Sequence, residues 1–150
     1  MFPPLFELIN CNDLYNLLNA EINGLARISD RNYLYLLDCR SEKDYNESHI
    51  ITAEHIKRNQ NGEFQFSYNV NLETREHIIL YDNRSNTLPL SEQDDIYTCT
   101  HLLSKYAGGL TTIKIINGGY ELFSKSYPFL RTQQIFYSPK VNEILLSKIE

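Results

Sequence analysis

The chain has 150 residues, 42% hydrophobic and 22% charged, with 14 Lys and Arg against 19 Asp and Glu and a net charge of −5. This length and composition suit one globular domain with a full core. No apolar run approaches the roughly 20 residues of a membrane helix, no Lys/Arg run suggests nucleic acid, and Cys11, Cys39 and Cys99 lack the CxxC spacing of a zinc site or a disulfide framework.

The charge is uneven: sixteen acids face eight bases in residues 1–100, and three face six in 101–150. Without a basic stripe this reads as a solvated surface of mixed sign. Met1-Phe2-Pro3-Pro4 has neither the basic nor the long apolar segment of a secretory signal. An odd number of unspaced cysteines fits a reducing, intracellular setting, most simply the cytoplasm, with the mitochondrion left open. No cofactor or metal is expected.

Along the chain, Phe6–Ile9 is a short strand candidate. Asn10 can cap a helix reaching Ala20, with Asp13 in its first turn and Leu14, Leu17 and Leu18 on one face. Tyr33–Leu37 is a continuous apolar run ending at Asp38-Cys39-Arg40. Ser41, with Asp44 three residues on, opens a short helix. Ile50–Ala53 is a further strand candidate. Residues 57–76 are polar, with a turn at Asn59–Gly62 and one helical turn near Leu72–Glu76. His77–Asp82 is the next strand. Ser91 and Asp94 signal a helix whose inner face is Ile96, Cys99, Leu103 and Tyr106, ended by Gly108-Gly109. Thr111–Ile116 is β-branched and reads as the last strand. Gly118-Gly119 turns the chain into a helix over Tyr120–Lys125, stopped by Pro128. A strand at Gln134–Tyr137 and an amphipathic segment at Val141–Ile149 follow.

Strands alternating with helices predict an α/β fold: a central parallel sheet of about five strands, flanked by helices and linked by right-handed crossovers. Ile78–Tyr81 has the pattern of a strand buried on both faces. In open α/β sheets ligands sit past the carboxyl ends of the strands. The loop Asp82, Asn83, Arg84, Ser85, Asn86 and Thr87 is therefore the place for a site. It holds no cysteine, no serine–histidine pairing and no glycine-rich cradle.

Two sets of motifs carry a resemblance. Leu36-Leu37-Asp38-Cys39-Arg40-Ser41, followed by Tyr45 and Glu47-Ser48-His49-Ile50, resembles the rhodanese domain, with Ser48 where that family usually has glycine. Asn117-Gly118-Gly119-Tyr120, Phe123 and Tyr127–Leu130 resemble the end of the same domain. Tyr81–Leu88 and Gly118–Gln133 further resemble the non-catalytic N-terminal rhodanese-like domain of the serine/threonine/tyrosine-interacting-like pseudophosphatases, in the MAP kinase phosphatase group. The resemblance implies a rhodanese-like domain over residues 1–133 and an extension, 134–150, leading to a phosphatase-like domain in cis. No phosphatase signature of cysteine, five residues and arginine occurs in the sequence. It also implies a catalytically inactive, regulatory, protein-binding role, with a MAP kinase or another signalling protein as partner.

A rhodanese transfers sulfur through a cysteine persulfide held over backbone N–H groups. Asp82 follows the strand here, and a carboxylate forms no persulfide and repels an anionic donor such as thiosulfate. The loop's donors are expected to be satisfied internally by Asp82 or Ser85; the alternative is a small anion held with Arg84. Two rival functions stay open, a small sulfurtransferase using Cys39 and a purely structural domain. Cys99 is expected to be buried and inert. Cys11, at a helix start, has no acid–base partner in view. His49 reads either as a general base or as a histidine bonded to backbone. The resemblance makes Asp38 and Arg40 a structural pair. Ile56, Lys57 and Arg58 are a candidate docking site, because that group docks kinases through bases and apolar residues in this region. The loop surface 82–90 is the alternative contact.

Overall fold

The computed structural model describes residues 6–65, 72–85, 95–106 and 112–133. Its strands and helices, in chain order, begin with β1 (Phe6–Ile9), α1 (Cys11–Asn19), β2 (Glu21–Ile22), β3 (Leu25–Ala26) and β4 (Leu34–Asp38). There follow α2 (Glu42–Glu47), β5 (Ser48–Ile50), β6 (Glu54–His55), β7 (Lys57–Arg58), β8 (Phe64–Gln65) and β9 (His77–Tyr81). The remainder is α3 (Asp95–Tyr106), β10 (Ile113–Ile116), α4 (Gly119–Ser126) and β11 (Arg131–Gln133), with short 3-10 turns at Arg27–Ser29, Leu72–Thr74 and Pro128–Leu130.

Five strands form one parallel sheet in the order β1-β10-β9-β4-β6. The chain is thus an α/β protein with the expected central parallel sheet and flanking helices. The sheet is built from runs that are apolar at every position because both faces are covered. Tyr35, Leu37, Cys39, Ile78, Leu80, Ile113 and Ile115 pack beneath Ile96, Cys99 and Leu103 of α3. The alternate residues Leu36, Ile79, Tyr81 and Ile116 pack against Leu14 and Leu18 of α1 and Phe123 of α4. Each fully buried aliphatic side chain stabilises the fold by about 1.5–3 kcal/mol relative to exposure.

The helix starts follow their caps. The Asp13 carboxylate accepts the Asn10 N–H at 3.0 Å, and Ser41 Oγ accepts the Asp44 N–H at 3.1 Å. The Asn59–Gly62 turn is held by Asn59 Oδ1, which accepts the N–H groups of Asn61 and Glu63. Two expectations need correction. Ile50–Ala53 is not a strand of the parallel sheet. Ile50 ends β5, which pairs antiparallel with β11, and Thr52 turns the chain at φ +68°. The sheet edge is the polar pair Glu54–His55 instead, in register with Leu37 and Asp38. Tyr106 is exposed and leaves the inner face of α3 to Ile96, Cys99, Thr100 and Leu103. The helix signals at Ser91, Asp94 and Gly108-Gly109, the strand at Gln134–Tyr137 and the segment Val141–Ile149 lie outside the described residues. Among the described residues no helix is long and apolar enough to cross a membrane.

Candidate functional site

The central strands β4 and β9 end side by side, Asp38 opposite Tyr81, and the Cys39 N–H extends the ladder to Tyr81 O at 2.9 Å. The loop that follows Tyr81 lies against a cleft of about 410 Å³, lined by Cys39, Arg40 and Ser41 from the end of β4, Asp82–Ser85, and Asp95 and Ile96 of α3, with Asp44 of α2.

Asp82 closes the start of this loop on itself. One carboxylate oxygen accepts the Ser85 N–H at 2.8 Å, and the other accepts the Ser85 hydroxyl. The loop's carbonyls are also engaged. Asp82 O accepts the Tyr120 N–H at 2.7 Å, Asn83 O the Glu121 N–H at 2.9 Å, and Ser85 O the Gly118 N–H at 2.8 Å. This close approach needs Gly119, whose φ is +61°: a Cβ there would sit 2.5 Å from Asp82 O, 2.6 Å from Asn83 C and 2.7 Å from Arg84 N. Arg84 projects outward, 80% exposed, and pairs with the exposed Glu121 at 3.4 Å. Asn86 and Thr87 lie outside the described residues.

A buried polar network supports the loop from behind. The Asp38 carboxylate accepts from Arg40 Nε at 3.1 Å, Arg40 Nη2 at 2.8 Å and the Arg40 backbone N–H at 2.8 Å. The guanidinium also donates to Ser48 O and lies 3.9 Å over the Tyr120 ring. Tyr120 and Ser48 share a hydroxyl hydrogen bond. Tyr81 is fully buried, and its hydroxyl accepts the Ile50 N–H at 3.1 Å. Burial, and then the Asp38 charge beside it, hold the Tyr81 phenol protonated well above its ordinary range. Asp38 and Arg40 thus tie β4 to β5 and α4.

The other candidates fall as follows. Cys39 is 3% exposed, and burial, followed by the neighbouring Cys99, pushes its thiol well above the ordinary range. That is the reverse of a sulfur nucleophile's need. Cys99 is completely buried, on the inner face of α3. Cys11 is buried on the opposite side of the sheet, where burial raises its thiol despite the helix start. His49 Nδ1 bonds to Tyr45 O at 2.8 Å and its ring stacks on Tyr45 at 3.9 Å, the backbone-bonded arrangement.

The docking candidate is divided by the fold. Ile56 is 3% exposed and belongs to the core beside Leu37 and Leu72, so it offers no surface anchor and that expectation is corrected. Lys57 is exposed. Arg58 is exposed but engaged: it pairs with Asp95 at 3.1 Å, donates to Gly62 O, and lies 3.9 Å over Phe64.

Residue type and spacing do not reveal the Gly119 contact or the Ser48–Tyr120 bond. The one signal for the first is the pair of adjacent glycines after a strand, which by itself indicates only a turn. Among the described residues no group of three or more His, Cys, Asp or Glu is placed to hold a metal ion.

A family model for the rhodanese-like domain matches residues 23–126. No curated protein matched the chain. Among solved structures, the As-Sb reductase from Leishmania major is similar at a TM-score of 0.56 and 14% identity, over 93% of this chain and 98% of that one. The BH2092 protein from Bacillus halodurans aligns at a TM-score of 0.46 and 19% identity, over 92% and 89% of the two chains.

Proposed function

Because the chain belongs to the rhodanese-like domain family and has an aspartate where sulfur transfer needs a thiol, we propose that it is a catalytically silent binding module. The observation that carries this reading is the Asp82 carboxylate accepting both the N–H and the hydroxyl of Ser85. A fixed negative charge stands at the head of the loop and takes up donors that an anionic substrate would otherwise meet. The nearest thiol, Cys39, is buried and held protonated, which weighs against the rival sulfurtransferase. Incubated with thiosulfate and cyanide, the protein is expected to form thiocyanate at the uncatalysed rate, and Cys39→Ser to change nothing. Turnover above background that disappears in Cys39→Ser would overturn the proposal.

The motifs at Tyr81–Leu88 and Gly118–Gln133 support a finer reading: the regulatory domain of a pseudophosphatase of the MAP kinase phosphatase group, with a signalling kinase as partner. The contact surface we favour is the outer face of the loop, where Asn83 and Arg84 are exposed and Ile56 plays no part. An exposed arginine already facing a glutamate gives modest attraction, screened beyond about 8 Å at physiological salt. Titration of the labelled domain with MAP kinases is expected to show weak binding that fades with added salt and weakens further in Arg84→Glu. No binding at low salt, or binding indifferent to Arg84→Glu, would remove this surface.

A further inference from the structure

The side-chain alternation along β4 sends Tyr35, Leu37 and Cys39 into the layer beneath α3, and α3 sends Ile96, Cys99 and Leu103 into the same layer. Cys39 also forms part of the cleft wall together with Ile96, which lies one helical turn before Cys99. The two free thiols therefore share one buried layer between the end of β4 and the first turns of α3, under the cleft floor, where Cys99 acts on the Cys39 thiol. The third thiol, Cys11, lies on the other side of the sheet, its Sγ 3.7 Å from Asn117 O.

We propose that Cys39 and Cys99 form a reversible disulfide that fixes the spacing between the two walls of the cleft. One wall is Cys39–Ser41 and the other is Asp95 and Ile96, so a bond from Cys39 to Cys99 staples one to the other. The oxidant is a small-molecule disulfide entering the cleft. The Cys39 thiolate attacks one sulfur of it and releases one small thiol, leaving a mixed disulfide on Cys39. The Cys99 thiolate then attacks the Cys39 sulfur and releases the second small thiol. The two protons lost by the protein end on the two released thiols; the protein pair is oxidised and the small disulfide reduced. Burial keeps the Cys39 thiolate scarce, so the exchange is slow and the pair follows the ambient thiol poise by equilibration. Once formed, the bond closes a long chain loop and restricts the unfolded state.

The test equilibrates the whole chain over a series of oxidised-to-reduced glutathione ratios, alkylates free thiols after denaturation, and maps the peptides. The expected result is a linked peptide pair containing Cys39 and Cys99, reversed by dithiothreitol, with Cys11 alkylated throughout and a higher melting temperature for the oxidised form. Cys99→Ala and Cys39→Ala are each expected to lose both the linked pair and the rise in melting temperature. Three alkylated thiols at every ratio, linkage through Cys11, or glutathione retained on Cys39 without closure would each overturn the proposal.

Discussion

Truncating Arg40 to alanine is expected to destabilise the domain by about 3–5 kcal/mol, because it strands a buried carboxylate. The Arg40 side chain is 4% exposed and Asp38 is fully buried. Without the guanidinium, Asp38 keeps only backbone and neighbouring donors, and the Tyr120 ring and Ser48 O each lose a partner. In a chain of this size that corresponds to a fall in Tm of about 10 °C or more. Thermal and urea unfolding measure it. A companion variant, Asp38→Leu/Arg40→Leu, removes both charges together and is expected to lose less than the sum of the single changes, since breaking the pair is worse than replacing it. A fall within about 2 °C for Arg40→Ala would show that the pair does not hold the ends of β4, β5 and α4 together.

Gly119→Val should be the other severe substitution. A positive φ alone costs a residue with a Cβ about 1–2 kcal/mol, and the added carbon would collide with the backbone of Asp82, Asn83 and Arg84. Backbone held by three hydrogen bonds cannot step aside as a side chain can. The combined loss is expected at about 4 kcal/mol or more, read again by unfolding. Gly119→Ala should show a smaller loss of the same kind, and in both variants the amides of Gly118, Tyr120 and Glu121 should exchange faster with solvent. Unchanged exchange at those amides would mean that loop and helix are not packed as described.

The parts of the fold visible in the sequence are those where burial acts on every residue. Leu34–Leu37 and Ile78–Tyr81 are central strands, covered on both sides, so an uninterrupted apolar run identifies them. The edge strand Glu54–His55 has water on one flank and a polar composition, and the more apolar Ile50–Ala53 just before it draws the strand assignment instead. Ile56 misleads for a related reason. Two bases follow it, which suggests surface, yet it steps inward between β6 and β7 and fills the core under Leu37. Of the site, Asp82 and the absence of a loop nucleophile are legible from residue type alone. The close packing at Gly119 is not, because it joins segments 35 or more residues apart whose proximity only the sheet order reveals.

The sheet order carries a consequence for how the chain assembles. β1 comes first among the described strands, yet its neighbour is β10, in register from Phe6 with Ile113 to Ile9 with Ile116. During synthesis β1 must wait until nearly all of the described chain has left the ribosome, its apolar side chains without their destined cover. Closing so long a loop carries an entropic penalty that local contacts cannot offset early. β4 and β9, made in between, supply the template onto which β10 and then β1 add. A nascent chain halted before Ile113 therefore lacks the strand that β1 pairs with, and it leaves that strand edge and its apolar side chains uncovered.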